Sequence, residues 1–342
     1  MEGYIMSKAF LFAVSFMALF CSCDERRGLL PPSGGKLYEA LLMGDSADIV
    51  KSALQADMPG LPQGEPQFDV SSIDSADFGS TLRTTREIVV VRTSPKLYAT
   101  VRIRYDRDVW AEPQTVVTVT APSMRMISDS IGRVAPTLLR LLNTAEMRKS
   151  LAMLRDHRNA KAERLVDSMF HVRMWVPLDM VSSRKDRDFV WLSNNSPSVM
   201  SNIVVYKAPR HGDPVAQRDS ALARNIKGET DRMHMATVAR TVAANPDGTV
   251  MRGLWEMTGD NMGGPFICRR VRTTEKDDNH DIVVEGFVFA PGKGKRDAMR
   301  QMEAVLRSIS ATLRNRSPRC ETSQDKASRG ETSKTRKANR HN

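Results

Sequence analysis

The spacing of apolar residues changes near Ser123, and this change separates two kinds of predicted secondary structure. Before it, residues 87–92 (EIVVVR) and 114–120 (QTVVTVT) are rich in β-branched side chains, which is typical of buried strands. Residues 98–105 (YATVRIRY) alternate between apolar and polar, as expected of a half-exposed strand. After Ser123, apolar residues recur at helical spacing as far as about Phe170. We therefore expect an N-terminal α/β domain over residues 36–170 with long helices.

Local signals refine this first domain. Apolar content predicts a first strand over residues 36–43. Pro136 predicts a kink in the helical stretch. Asn143 followed by Glu146 has the spacing of a capping box, which predicts that a second helix begins there and runs to Phe170. The other face of that helix is rich in Arg and Lys, and we expect those side chains to be solvated.

Residues 171–315 predict a second domain built mainly from strands. The turn Asn245–Gly248 joins two apolar segments and predicts a hairpin. Helical spacing predicts a terminal amphipathic helix from Arg296 to Leu313. Strands followed by one terminal helix favour an antiparallel sheet with that helix packed on one face. The predicted fold class is therefore α+β, or mixed α/β. Further strands are expected over residues 188–193, 202–206, 265–271 and 282–289, and a helix over 215–225.

The N-terminus has the three parts of a secretory signal peptide. Lys8 precedes an apolar run over residues 9–20, and Cys-Ser-Cys ends that run. Small Ser22 directly before Cys23 is the arrangement of a bacterial lipobox, in which Cys23 becomes the lipid-bearing first residue. Cys21 is the weaker candidate because bulky Phe20 precedes it. We predict a lipoprotein signal peptide over residues 1–22 and a linker over 23–35.

Two other interpretations of the leader are an uncleaved membrane anchor and a plain secreted protein. The apolar run has about twelve residues, whereas a membrane-spanning helix needs about 20. Two or more acyl chains anchor a protein stably because each buried methylene contributes about 0.8 kcal/mol. We expect the membrane to be a partner through this lipid anchor. The expected location is the outer membrane, with the protein facing either the periplasm or the cell exterior.

The net charge of +11 is unevenly distributed. Seven Lys or Arg residues oppose three acidic residues between Ser317 and Asn342, which gives this segment a charge of +4. It contains almost no apolar residue, so we predict a disordered basic tail over residues 316–342. Such a tail is able to contact anionic lipid or nucleic acid. For an exported protein we expect lipid, and no nucleic-acid partner.

Sequence motifs indicate no catalytic, metal or cofactor site. The six histidines are dispersed, and no HExxH, GxSxG, SxxK or P-loop occurs. The lack of a CxxC pair argues against zinc and thioredoxin-like sites. Gly292–Lys295 fails as a phosphate loop because no GK[ST] follows. Cys268 is expected to be a buried free thiol.

Three residues are candidates for contact with a ligand or partner. Trp110 lies in a charged segment, where a tryptophan either fills a core or meets a partner. Trp255 belongs to a set of four tryptophans that together suggest a carbohydrate platform. Asp260 carries a calcium-binding oxygen, but no further acidic oxygen follows at EF-hand spacing, which favours a tight loop between strands.

Four longer segments resemble a known family. They are MPGLPQGEPQFDV, YDRDVWAEPQTVV, MRGLWEMTGDNMGGPF and IVVEGFVFAPGKGKRDAMRQMEAVLRSI. They are similar to Bacteroidota envelope lipoproteins that carry domain of unknown function 4837. The resemblance extends over about residues 36–313. It implies an exported lipoprotein and supplies no catalytic residue.

The sequence leaves two main hypotheses for function. The first is a non-enzymatic envelope binding or assembly factor, whose partner is an envelope protein or a glycan. The alternative is an envelope hydrolase with a site assembled from residues distant in sequence. A weaker third hypothesis is a structural lipoprotein that ties the membrane to the cell wall.

Overall fold

The computed structural model describes residues 30–230, 232–272 and 279–311. Within these ranges the chain forms an N-terminal part (residues 30–158) and a C-terminal part (residues 159–311), each with its own sheet. The predicted class, an α/β layer followed by an antiparallel sheet with a terminal helix, is confirmed. The predicted domain boundary after residue 170 stays a prediction. None of the helices in the described ranges has the length and apolar content needed to cross a bilayer.

A mixed five-stranded sheet forms the centre of the N-terminal part, in the order β2-β1-β3-β5-β4. All neighbouring strands are parallel except β4, which pairs antiparallel with β5. The elements are β1 (Glu39–Met43), α1 (Ile49–Leu54), β2 (Asp69–Ile73), α2 (Ser80–Arg83), β3 (Glu87–Thr93), β4 (Arg102–Arg107), β5 (Thr115–Ala121), α3 (Met124–Asp129) and α4 (Ile131–Asp156).

Both faces of this sheet are covered, because side chains alternate along each strand. On one face, Leu42, Val89 and Val117 pack with residues of α1, α3 and α4 in the larger core cluster. On the other face, Ile88 and Val116 pack with residues of the α2 region. The strand predicted over residues 98–105 begins later, at Arg102. The first strand likewise begins at Glu39 rather than Lys36.

The prediction of a helix start at Asn143 is wrong. Helix α4 is continuous through Pro136 and Asn143 and ends at Asp156. The predicted continuation to Phe170 is also wrong, because residues 157–159 separate α4 from the next helix. Asn159 caps that next helix, since its Oδ1 accepts the backbone N–H of Ala162.

The C-terminal part contains an antiparallel sheet in the order β10-β12-β13-β14-β9-β8-β7, with β11 also paired to β12. The hairpin around Asn245–Gly248 is confirmed by the pairing of β11 with β12. The elements are α5 (Ala160–Phe170), β6 (Val172–Arg173), β7 (Ser182–Asp186), β8 (Phe189–Ser193), β9 (Met200–Pro209), α6 (Pro214–Asn225), β10 (Met235–Thr237), β11 (Ala243–Ala244), β12 (Val250–Met257), β13 (Gly263–Arg272), β14 (His280–Phe289), α7 (Arg296–Arg307) and β15 (Ser310–Ala311).

Helices cover both faces of the larger sheet. On one face, Ile203 and Val284 pack with α7 and α5. On the other, Val204 and Val283 pack with Leu222 of α6. The terminal helix ends at Arg307, not at the predicted Leu313, because the chain turns and β15 pairs with β6. Cys268 is a buried free thiol, as predicted.

A proline-rich segment of the N-terminal part, residues 57–66, packs against the C-terminal part. Met58 is buried in the core cluster beneath α7, and Leu61 packs against the same cluster. The Glu65 carboxylate accepts the backbone N–H groups of Lys295 (2.8 Å) and Arg296 (2.9 Å). The first N–H groups of a helix have no partner within the helix, and its N-terminus favours negative charge. Glu65 therefore caps α7 from the N-terminal part.

A buried ionic cluster fixes α4 against the start of the N-terminal sheet. Lys149 Nζ lies 2.5 Å from Glu87 Oε1 and 3.3 Å from Glu146 Oε1, and all three side chains are almost fully buried. Glu146 also accepts hydrogen bonds from Arg86 Nε (3.2 Å) and from the backbone N–H of Tyr38 (3.1 Å). These bonds use the Glu146 carboxylate that the sequence had suggested as a helix cap. They also place Lys149 inside the protein, although the sequence had placed it on a solvated face.

Removal of Lys149 is expected to destabilise the fold. At pH 7 a Lys149→Met variant leaves the buried Glu146 carboxylate without its lysine partner, and breaking a buried ion pair from one side costs on the order of 3 kcal/mol. Urea denaturation at pH 7 measures the loss. Arg148→Met is the matched control because Arg148 is exposed on the same helix. Equal effects of the two substitutions would contradict the role of the cluster.

The same cluster predicts a pH dependence of stability. Burial raises the pKa of Glu87 to about 8 from its ordinary value of 4.5, although Lys149 opposes this rise. Between these two values the folded protein holds a proton that the unfolded chain has released. The contribution of Glu87 to stability is therefore full below about pH 4.5 and lost as the pH rises through about 8.

Comparison with Glu87→Gln isolates this titration. The unfolding free energy of the wild type minus that of the variant is expected to decrease between pH 5 and pH 8. Urea unfolding curves at both values measure the difference. A difference that stays constant or increases with pH would contradict the assignment.

Candidate functional site

A large groove lies between the N-terminal and C-terminal parts. Its volume is about 700 Å³, within the range of roughly 300–1,000 Å³ that is typical of ligand pockets. Its walls are the last turns of α4, one side of α7, the loop after β6, and the β8–β9 connection. The lining residues are Leu37, Ser150, Met153, Leu154, His157, Pro177, Leu178, Asp179, Asn194, Val199, Ser201, Asp297, Ala298, Arg300, Gln301 and Ala304.

Helix α7 separates the groove from the core of the C-terminal part. Met299, Met302 and Val305 point into the core cluster between α7 and the sheet. Ala298 and Ala304, on another side of the helix, line the groove. Because an alanine side chain is a single methyl group, the surface of α7 recedes at these positions and leaves space.

Tyr38 and Arg300 connect the two parts beside the groove. The Arg300 guanidinium lies 4.9 Å from the centre of the Tyr38 ring, a cation–π arrangement. Arg300 also pairs with Glu303 at 3.0 Å. Burial raises the pKa of Tyr38 to about 12, so the phenol is neutral at physiological pH. The neighbouring Leu37 and Arg300 itself contribute to the lining.

Large apolar side chains are exposed along one rim of the groove. Met153 is 50% exposed and Leu178 is 58% exposed, and both line the groove. Val181, three residues beyond Leu178, is 75% exposed. Exposed apolar surface next to a concave apolar pocket is characteristic of binding sites. Among the residues that the structure describes, phenylalanine, tyrosine and tryptophan do not line the groove.

His157, the histidine of the groove, is not hydrogen-bonded as part of a nucleophile–base pair within the described residues. His157 Nδ1 lies 3.1 Å from the backbone oxygen of Met153, so this nitrogen donates to a carbonyl. Within the described ranges, no hydrogen bond joins His157 to a hydroxyl or a carboxylate. No group of three or more His, Cys, Asp or Glu side chains able to hold a metal ion occurs in the same ranges.

The residues predicted as contacts lie outside this groove. Trp110 packs edge-on against Phe78, with ring centres 5.4 Å apart, over one face of the N-terminal sheet. Trp255 is 3% exposed in β12, where it packs against Phe287. Asp260 is exposed in the turn after β12 and accepts the backbone N–H of Asn261 at 2.6 Å. Trp255 lies on β12 and Asp260 in the turn that follows it, both in the C-terminal part, whereas Trp110 lies in the N-terminal part. Cys23 lies outside the described residues.

The groove was not predicted from the sequence, although one local signal was present. Residues 176–181 (VPLDMV) contain four apolar side chains in a segment without predicted secondary structure. Val176 and Met180 are buried, whereas Leu178 and Val181 are exposed. Apolar residues in a loop that are not needed for the core mark a contact surface.

Two family models match the chain. Residues 159–308 match a domain of unknown function (DUF4837), and residues 38–155 match a different domain of unknown function (DUF8532). The predicted DUF4837 domain is thus confirmed, but over a shorter range than the expected 36–313. The two matches meet at the break between α4 and α5. Comparison with curated proteins gave no match, and neither did comparison with solved structures.

Proposed function

We propose that this chain is a lipid-anchored binding protein of the cell envelope, and that the groove between its two parts is the ligand site. One observation supports the groove as the ligand site. A cavity of about 700 Å³ lies open to solvent, its exposed lining surface is mostly apolar although half of its lining residues are polar or charged, and exposed Met153 and Leu178 stand at its rim. Leaving such surface in water is unfavourable, by roughly 25 cal/mol per Å² of apolar area. A bound apolar ligand removes this cost.

The anchoring part of the proposal rests on the leader. Lys8, the apolar run and Ser22-Cys23 together have the layout of an exported lipoprotein. Lipidation at Cys23 attaches the protein to a membrane surface, and we propose the outer membrane, with the folded parts facing the periplasm or the exterior. An envelope protein or a glycan remains the proposed class of macromolecular partner.

The groove geometry favours binding over hydrolysis. A hydrolase of the kind considered above needs a nucleophile or paired carboxylates within hydrogen-bond reach of a base. His157 instead donates to a main-chain carbonyl. This arrangement supports the binding proposal.

Lipidation is tested by metabolic labelling with radioactive palmitate. The natural chain is expected to retain label on a denaturing gel, because the attachment is covalent. Cys23→Ser is expected to remove the label, whereas Cys21→Ser leaves it in place. Label that depends on Cys21, or that occurs in neither chain, would overturn the assignment of Cys23.

The binding site is tested with an apolar dye, 1-anilinonaphthalene-8-sulfonate. The wild type is expected to bind one dye molecule with saturable fluorescence. Ala298→Trp places a large ring in the groove and is expected to weaken binding at least tenfold. The matched control is Ala216→Trp, because Ala216 is exposed on α6 and does not line the groove. Equal dye binding by both variants would reject the groove as the ligand site.

A further inference from the structure

We propose that the groove holds one linear acyl chain of about sixteen to eighteen carbons, taken from an amphiphile of the membrane to which the protein is attached. The inference rests on the proposed function, in which the groove is a ligand site and Cys23 is the anchor. It adds the chemical class of the ligand and the number of chains.

The volume of the groove is sufficient for one acyl chain. A water molecule occupies about 30 Å³ of liquid, and a methylene group is of similar size. A groove of about 700 Å³ therefore has room for at least on the order of 20 such groups. This accommodates one chain of a common membrane lipid, and one chain is the occupancy that the test below measures.

The chemistry of the lining favours a hydrocarbon chain over other apolar ligands. Leu37, Met153, Leu154, Leu178 and Val199 are aliphatic or thioether side chains. Methionine adapts its shape to irregular contacts, which suits a flexible chain. Sugars and protein partners are usually held through aromatic side chains, and the described part of the chain contributes no phenylalanine, tyrosine or tryptophan to the lining.

The length of chain before the groove keeps it close to the membrane. Leu30 is the first described residue, and Leu37 already lines the groove. From Cys23 to Leu37 there are 14 residues (37 − 23), which span at most about 50 Å when fully extended. The exposed rim of Met153 and Leu178 is thus held within reach of the lipid surface, where it provides an apolar entry for the chain.

The test measures how affinity depends on chain length. The full mature chain carrying Cys23→Ser has no lipid anchor. The assay therefore contains neither the acyl chains of the protein itself nor the detergent that would be needed to dissolve them. Equilibrium dialysis with radiolabelled saturated fatty acids of 8 to 18 carbons, below their micellar concentrations, gives affinity and stoichiometry. We expect one bound molecule and an affinity that increases about fourfold per methylene until the groove is full.

Two pairs of variants locate the bound chain. Ala298→Trp is expected to lower the affinity for palmitate at least tenfold, whereas Ala216→Trp leaves it unchanged. If Ala298→Trp does not fold, Leu178→Asp at the exposed rim replaces it. Leu97→Asp is then the control, because Leu97 is 76% exposed in the turn between β3 and β4. Equal affinities within a pair would overturn the proposal.

The dye experiment separates failure of this inference from failure of the proposed function. Dye binding in the groove without fatty-acid binding, or with an affinity independent of chain length, overturns the acyl-chain ligand and leaves the ligand site standing. Two or more fatty-acid molecules per groove overturn the single-chain stoichiometry. Binding of neither dye nor fatty acid overturns both proposals.

Discussion

The capping of α7 by Glu65 is the contact on which the arrangement of the two parts depends. One carboxylate from the N-terminal part satisfies backbone donors at the start of the last helix. Arg296, the first residue of that helix, reaches back to the Pro66 carbonyl (3.0 Å) and to Asp69 (2.8 Å). Met58 adds a buried apolar contact from the same proline-rich segment. Met147 and Leu154 of α4 lie in the same apolar cluster. The polar contacts are directional, and the apolar contacts add buried surface between the two parts.

The groove follows from this constraint. Helix α7 packs on the sheet with one side, is capped by Glu65 at its first turn, and also contacts α4. Beside that contact, Ala298 and Ala304 are too small to fill the space between the two helices. The ionic cluster of Glu87, Glu146 and Lys149 holds the opposite wall, because it locks α4 onto β3. The groove is therefore the space that small side chains leave beside a contact between two fixed helices.

The sequence predicted those features that depend on local pattern. Strands β3 and β5, the hairpin at Asn245–Gly248 and the start of α7 all follow from periodicity or turn chemistry. The predicted helix start at Asn143 was wrong because the Glu146 side chain accepts hydrogen bonds from groups more than fifty residues away in sequence rather than from a local N–H. The predicted end of α7 was wrong because β15 pairs with β6, 137 residues earlier (310 − 173), and this pairing competes with continuation of the helix. The groove was not predictable because it lies between surfaces that only the tertiary fold brings together.

The position of α7 after every strand of the large sheet has a consequence for biosynthesis. Polypeptides emerge from the ribosome N-terminus first, at roughly 5–20 residues per second. All strands of the large sheet therefore exist before the helix that covers Ile203, Ile282 and Val284 has been made. During that interval this face of the sheet lacks the part of its cover that α7 supplies, and of the two helices that cover it only α5 is present. A nascent chain that stops before Arg296 retains every strand of that sheet but lacks this part of the cover and one wall of the groove.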